Sequence, residues 1–127
     1  MPVINPASFR LLVCGARNYW NVHKLTQVLC DLHEKRPISQ LAEGEARGAD
    51  TLAREWAELR NVQVIKFPAD WDRYGKSAGP HRNEQMLREF QPHGAVAFFG
   101  KKYTGSGTTH MVGLLKKAGV PVAEIYE

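Results

Sequence analysis

Short apolar runs alternate with amphipathic segments along most of this chain. The apolar runs lie at residues 9–14, 38–43, 62–67, 95–99 and 120–125. Continuous apolar runs of this length, bounded by turn residues, are typical of strands that are buried on both faces. Between them the apolar residues recur at helical spacing, as in Val22, Leu25, Val28, Leu29 and Leu32. The pattern therefore predicts five strands separated by four helical connections.

Capping and breaking residues set the limits of the first two predicted helices. Asn18 or Asn21 can cap the first helix, and Pro37 ends it. The second helix opens at residues 47–50. Its inner stripe is predicted to be Ala49, Leu52, Ala53, Trp56 and Leu59.

The second half of the chain is predicted in the same way. Residues 69–80, ADWDRYGKSAGP, are polar and without period, which predicts a long loop of the kind that often carries function. The third helix is expected from about His81 to Phe90. The fourth carries the stripe Met111, Leu114, Leu115 and Ala118, and Gly119 ends it.

Alternating strands and helices predict an α/β fold. Right-handed crossovers favour a Rossmann-like, three-layer α/β/α domain over residues 1–127, with a five-stranded parallel sheet of order 3-2-1-4-5. The topological switch then lies between strands one and four, and ligands bind beyond their carboxyl ends. Residues 15–17 and 100–109 should meet there, beside the loop that follows strand two.

Composition restricts the function classes. The 127 residues are 43% apolar and 24% charged, which is ordinary for one globular domain. A formal net charge of +4 and a pI near 9.2 favour anionic partners, either a nucleotide or a polynucleotide. The sequence shows no membrane-spanning run and no signal peptide, so we expect a cytoplasmic location and no membrane partner.

The cysteines and histidines do not have the spacing of a metal site. Cys14 and Cys30 form no CxxC pattern, and the histidines form no HExxH pattern. We therefore expect neither a metal nor a cofactor. Cys14 is interpreted as a packed, small apolar residue rather than a nucleophile.

The clearest candidate for chemistry is the glycine-rich turn between strand four and helix four. It reads Gly105-Ser106-Gly107-Thr108-Thr109. Glycines let the backbone approach a ligand, and the free N–H groups of a helix start attract phosphate or carboxylate. The turn lacks the Lys of a P-loop, and His110 stands where a dinucleotide fingerprint needs glycine. An anion site without Walker or NAD chemistry is predicted.

Other candidates stand in the predicted pocket loops. Arg17, Arg47 and Arg82 are either surface charges or anion ligands. Asp50 is first assigned a structural role at the helix start. Trp71 and Tyr74 either cover core edges or stack on a base.

Five motifs in order resemble the YspA-type, YpsA-related branch of the SLOG superfamily. They are Gly15-x-Arg17, Gly44-x-Ala46-Arg47-Gly48-Ala49-Asp50, Phe67-Pro68-Ala69-Asp70-Trp71, Gly79-Pro80-x-Arg82-Asn83-x-x-Met86 and Gly105-x-Gly107-Thr108. The superfamily includes the LOG phosphoribohydrolases and the DNA-processing protein DprA. The resemblance implies a Rossmann-like domain, a pocket for a nucleotide or nucleotide-derived ligand, and a homodimer.

The resemblance also implies a possible catalytic set. Arg82 matches the arginine of the LOG pattern and so inherits a phosphate-binding or catalytic role, but Met111 stands where LOG enzymes have their catalytic Glu. A thioether cannot act as a base. Cleavage of an N-glycosidic bond would therefore need another carboxylate. The candidates are Asp70, Asp72, Glu43, Glu45 and Glu84, with Asp70 preferred as the acid or ribose ligand.

Two functions follow as hypotheses. In the first, the pocket binds a nucleoside monophosphate or an ADP-ribose derivative, either to hydrolyse its glycosidic bond or to sense or sequester it. The predicted ligand-binding residues are Gly15, Arg17, Gly44, Arg47, Gly48, Asp70, Trp71, Arg82, Asn83, Gly105, Ser106, Gly107, Thr108 and Thr109. The alternative is a DprA-like domain that binds nucleic acid through Lys101, Lys102, Lys116 and Lys117.

Overall fold

The computed structural model describes residues 8–100 and 106–127, with only the main chain of Ser106, and contains one five-stranded parallel sheet. The strands are β1 (Phe9–Gly15), β2 (Ile38–Glu43), β3 (Gln63–Lys66), β4 (Gly94–Phe99) and β5 (Val122–Tyr126). The helices are α1 (Val22–Lys35), α2 (Ala49–Leu59), α3 (Trp71–Tyr74), α4 (Ala78–Phe90) and α5 (Ser106–Lys117), with a 3-10 helix at Gly75–Ser77. The order is β3-β2-β1-β4-β5, which confirms the predicted Rossmann-like, three-layer α/β/α fold.

Helices cover both faces of the sheet because the central strands are apolar on both sides. On β1, Leu11 and Val13 face a core shared with α1 and α2, whereas Leu12 and Cys14 face a core shared with α4 and α5. Successive side chains of a strand point to opposite faces, so one continuous apolar run supplies both cores. All six residues of β4 are buried.

The first two helices begin where the capping signals predict. The side chain of Asn21 caps α1 by accepting a hydrogen bond from the Lys24 N–H at 3.0 Å. The second helix begins at Ala49, just after Gly48. One prediction for its inner stripe is wrong, because Leu59 lies in the last turn of α2 with 82% of its surface exposed.

The prediction of a long loop at residues 69–80 is also wrong. Asp70 accepts a hydrogen bond from the Arg73 N–H at 3.1 Å and so caps the short helix α3. The 3-10 helix follows, and α4 begins at Ala78 rather than near His81. One-turn helices escape detection by periodicity because they are too short to show a period. None of the helices in residues 8–100 and 106–127 combines the length and apolar character of a membrane span.

Candidate ligand-binding site

A cavity of about 450 Å³ opens beyond the carboxyl ends of β1 and β2 and beside the start of α5. This is the topological switch of the sheet, where α/β proteins bind their ligands. Its lining residues are Cys14, Gly15, Ala16, Arg17, Asn18, Gly44, Ala46, Asp50, Arg82, Asn83, Met86, Gly107 and Thr108. Its volume lies in the usual range for small-molecule sites.

Asp50 organises the loop between β2 and α2. Its Oδ2 accepts hydrogen bonds from the N–H groups of Gly44, at 3.1 Å, and Ala46, at 3.2 Å. Burial raises the pKa of Asp50 to about 6, although these hydrogen bonds and the charges of Arg82 and Arg17 oppose the shift. Asp50 lies in the first turn of α2 as expected, but it bonds to the main chain of the preceding loop and also lines the cavity.

Glu43 supports the same loop from beneath. It is fully buried, and its Oε1 accepts a hydrogen bond from the Glu45 N–H at 3.1 Å. Its Oε2 lies 3.8 Å from Nη1 of Arg54. Burial, followed by the charge of Asp50, raises the pKa of Glu43 to about 7. Two buried carboxyl groups with raised pKa values thus lie at this side of the cavity.

Arg82 and Asn83 connect three parts of the site from α4. Nη1 of Arg82 donates to the Gly44 carbonyl at 2.6 Å, and its Nε donates to Oδ1 of Asn83 at 2.9 Å. Asn83 in turn donates through Nδ2 to the Gly107 carbonyl at 3.1 Å. Burial lowers the pKa of Arg82, opposed by the charge of Asp50. Among the described residues Nη2 of Arg82 has no hydrogen-bond partner, so it is free to meet an anion.

Two glycines of the cavity wall lie in close contact with neighbouring residues. A Cβ at Gly15 would lie 2.5 Å from Cβ of Ala49, so glycine lets α2 approach β1. A Cβ at Gly44 would collide with the guanidinium of Arg82.

Gly107 differs from these two positions. No described atom beyond its chain neighbours and its own helix backbone lies within 4 Å of a Cβ built there. Packing in the described part of the chain therefore does not require glycine at position 107.

A smaller cavity of about 270 Å³ adjoins the first. It is lined by Arg17, Gly44, Glu45, Ala46, Arg47, Pro68, Ala69, Trp71 and Arg82. Four of these residues, Arg17, Gly44, Ala46 and Arg82, also line the larger cavity. The two cavities thus form one groove with a shared wall that carries two guanidinium groups.

Most of the residues proposed from the sequence meet at this groove. Gly15, Arg17, Gly44, Arg82, Asn83, Gly107 and Thr108 line the larger cavity, and Arg47 and Trp71 line the smaller one. Gly48 lies behind the wall with φ +72°. Gly105 and the side chain of Ser106 lie outside the described residues.

Besides Gly48, the proposed residues Asp70 and Thr109 lie outside the linings of both cavities. The Asp70 side chain is used as the cap of α3, and Thr109 is exposed on α5. Of the other proposed carboxylates, Glu45 lines the smaller cavity. Sequence reasoning missed Asn18 and Ala46 as wall residues and missed the cavity-facing position of Asp50. The sequence feature that could have indicated this position of Asp50 was its place in the motif after Gly48, beside a predicted pocket loop.

The structure also locates the residues that bear on catalysis by nucleophile, base or metal. Met111 is fully buried in the core under α5. Burial raises the pKa of the Cys14 thiol, which opposes formation of a thiolate nucleophile. Within residues 8–100 and 106–127 no group of three or more His, Cys, Asp or Glu residues is placed to hold a metal ion.

Comparison with known proteins assigns the family. The model of the YspA, cpYpsA-related SLOG family matches residues 9–74, just over half of the chain. The chain belongs to this family. It is also 33% identical over 119 residues to the Gene 61 protein of Mycobacterium phage D29, covering 89% of this chain and 93% of that protein. No solved structure matches. Membership of the SLOG family suggests a nucleotide-related ligand.

Proposed function

We propose that this SLOG protein binds a nucleotide or nucleotide-derived anion, of the nucleoside monophosphate or ADP-ribose type, in the larger cavity. The observation that carries the proposal is the convergence of Arg17, Arg82 and the first turn of α5 on one cavity. Helix N-terminal N–H groups and guanidinium groups are the usual protein partners of phosphate. The phosphate would lie against Gly107 and Thr108 within reach of Nη2 of Arg82.

The space around Gly107 allows this placement, because no described atom outside its chain neighbours and its own helix backbone lies within 4 Å of a Cβ built there. A glycine in a helix costs up to about 1 kcal/mol relative to alanine. At Gly15 a side chain would meet Cβ of Ala49, whereas the described surroundings of Gly107 leave room for one. A ligand that approaches the backbone closely would account for glycine at this position.

Binding is a better-supported function than hydrolysis. The residue at the position of the LOG catalytic Glu, Met111, is buried and has no proton to transfer. Asp70, the preferred acid, has its side chain engaged in capping α3. We therefore infer that the protein senses or sequesters its ligand. Incubation with nucleotides and detection of released base tests this inference, and release of base at a catalytic rate would contradict it.

The proposal is tested by replacing Arg82 with alanine. We expect AMP or ADP-ribose to raise the melting temperature of the wild-type protein, and Arg82→Ala to weaken the affinity at least tenfold, because a charged hydrogen bond to the phosphate is lost. Isothermal titration calorimetry measures the change. Arg88→Ala is the matched control, because Arg88 lies on the same helix with 70% of its side chain exposed. Equal affinity in the wild type and Arg82→Ala would overturn the proposal.

The DprA-like alternative makes a different prediction. Lys116 and Lys117 lie in the last turn of α5, which leads to the amino end of β5, and Nζ of Lys116 contacts Oε2 of Glu124 at 3.0 Å. The proposed cavity lies beyond the carboxyl ends of the strands, at the opposite end of the sheet. Lys101 and Lys102 lie outside the described residues. Binding of short DNA that weakens steeply with salt, without any response to nucleotides, would favour this alternative.

A further inference from the structure

The two adjoining cavities divide the groove into chemically different halves. The larger half has the start of α5 and the Arg82–Asn83 pair, whereas the smaller half has Trp71, Pro68 and Ala69. The wall between them carries Arg17 and Arg82. The groove thus offers one end at a helix start and another end where Trp71 lies among charged residues, Glu45 and Arg47.

Trp71 lines the smaller cavity and remains half exposed. Half of its surface is exposed, at 50%, although it is a large apolar side chain. The guanidinium carbon of Arg17 lies 5.6 Å from the centre of its ring. Such a pair is stabilised by cation–π attraction and keeps an aromatic plane at the cavity wall.

The other aromatic candidate in this segment is already engaged. Tyr74 stacks on the His81 ring with 4.0 Å between the ring centres, and the Arg73 guanidinium lies 5.0 Å from the Tyr74 ring. It lines neither cavity. Of the two aromatic residues considered from the sequence, Trp71 is therefore the one that a ligand in the groove can reach.

We propose that the smaller cavity is a nucleobase subsite, in which an aromatic base stacks on Trp71 while the sugar passes Arg17 and Arg82 and the phosphate enters the larger cavity. This inference rests on the proposed function. It specifies a ligand with a base at one end and a phosphate at the other. Stacking of a base on an aromatic side chain increases affinity by on the order of tenfold.

The experiment compares ligands with and without the base. Ribose 5-phosphate serves as the base-free probe, and AMP and ADP-ribose serve as base-bearing probes, all measured by isothermal titration calorimetry. The wild type should prefer AMP or ADP-ribose to ribose 5-phosphate by about tenfold. In Trp71→Ala the preference should fall to about twofold or less, with the affinity for ribose 5-phosphate unchanged. Trp71→Phe should keep most of the preference, because phenylalanine retains a stacking surface.

A matched control is available within the chain. Trp20 has a similar exposure, 54%, but lines neither cavity, so Trp20→Ala should leave every affinity unchanged. If Trp71→Ala weakens all probes equally, Trp71 serves only to hold Arg17, and the subsite is refuted. If it changes none of them, the subsite is refuted as well. If no probe binds the wild-type protein, both the proposed function and this inference fail. If the wild-type protein binds the probes without a base preference that depends on Trp71, only this inference fails.

Discussion

The loop after β2 and the start of α5 both supply glycine to the same cavity, but for different physical reasons. In the β2 loop a side chain at Gly44 would collide with Arg82, and Gly48 combines φ +72° with a close approach to the carbonyls of Ala16 and Arg17. At Gly107, by contrast, no described neighbour restricts a Cβ. The first region is shaped by the protein's own contacts, and the second has room that we attribute to a ligand.

The main-chain N–H groups of the two regions differ in the same way. In the β2 loop, main-chain N–H groups are satisfied internally by Asp50 and Glu43. The first N–H groups of a helix have no partner within that helix, and α5 begins at Ser106, at the cavity that Gly107 and Thr108 line. We infer that a glycine-rich motif can carry folding constraints in one loop and binding capacity in the next. Stability and affinity should therefore respond separately to substitutions in the two regions.

The largest expected effect on stability is that of Gly48→Ala. The positive φ is strained for alanine, and its Cβ would meet two backbone carbonyls that cannot move independently. We expect a loss of about 2–4 kcal/mol in the free energy of unfolding, measured by chemical denaturation. Gly113→Ala, at an exposed position in α5 with no described neighbour within 4 Å, should instead gain roughly 0.5–1 kcal/mol. Unchanged stability in Gly48→Ala would contradict the folding role assigned to Gly48 in the β2 loop.

The next largest expected effect is the pH dependence of the free energy of unfolding that Glu43 causes. Its pKa is raised from 4.5 to about 7, so the folded state holds more protons than the unfolded state between these values. The contribution of Glu43 to stability is therefore present below pH 4.5 and is lost as the pH rises through about 7. Glu43→Gln removes this loss and should be more stable than the wild type at pH 8 by roughly 1–3 kcal/mol.

Denaturation curves between pH 4 and pH 8 test this expectation. Glu58→Gln is the control, since Glu58 pairs with the same Arg54 but has 60% of its side chain exposed. It should change the stability little at any pH in this range. A wild-type protein whose stability rises from pH 5 to pH 8, with no gain in Glu43→Gln, would contradict the assignment of a desolvated, buried carboxyl group under the β2 loop.

The smallest expected effect on stability is that of Gly107→Ala. Because no described atom restricts the new methyl group, the free energy of unfolding should be unchanged or higher by up to about 1 kcal/mol. The affinity for AMP should nevertheless fall at least fivefold, because the methyl group would enter the space assigned to phosphate. Calorimetry of Gly107→Ala beside Gly113→Ala measures both quantities on the same helix. Full retention of AMP affinity would show that the start of α5 does not contact the ligand.

The strand order and most of the groove could be predicted from the sequence because both follow from local pattern and handedness. Alternating apolar runs and amphipathic segments lead to a parallel sheet with one switch point, and loops at that point must meet. Arg17, Arg82 and Gly107 could therefore be assigned to one site from their positions after β1, in α4 and after β4. The short helix α3 could not be predicted, because one turn of helix shows no period. The exposure of Leu59 depends on which elements pack beside the last turn of α2, and the helical period does not determine that.

Asp50 and Asp70 show what the sequence alone could not determine. Each follows a strand and stands at a helix start, and local sequence favours a capping or dipole role for both. Asp70 fulfils that role at the surface, whereas α2 packs so closely on β1 at Gly15 that Asp50 is removed from water and its pKa rises. The sequence by itself determined the fold and the end of the sheet where the cavity lies. Only the tertiary structure decided which acid is buried at the cavity, because desolvation depends on neighbours that are distant along the chain.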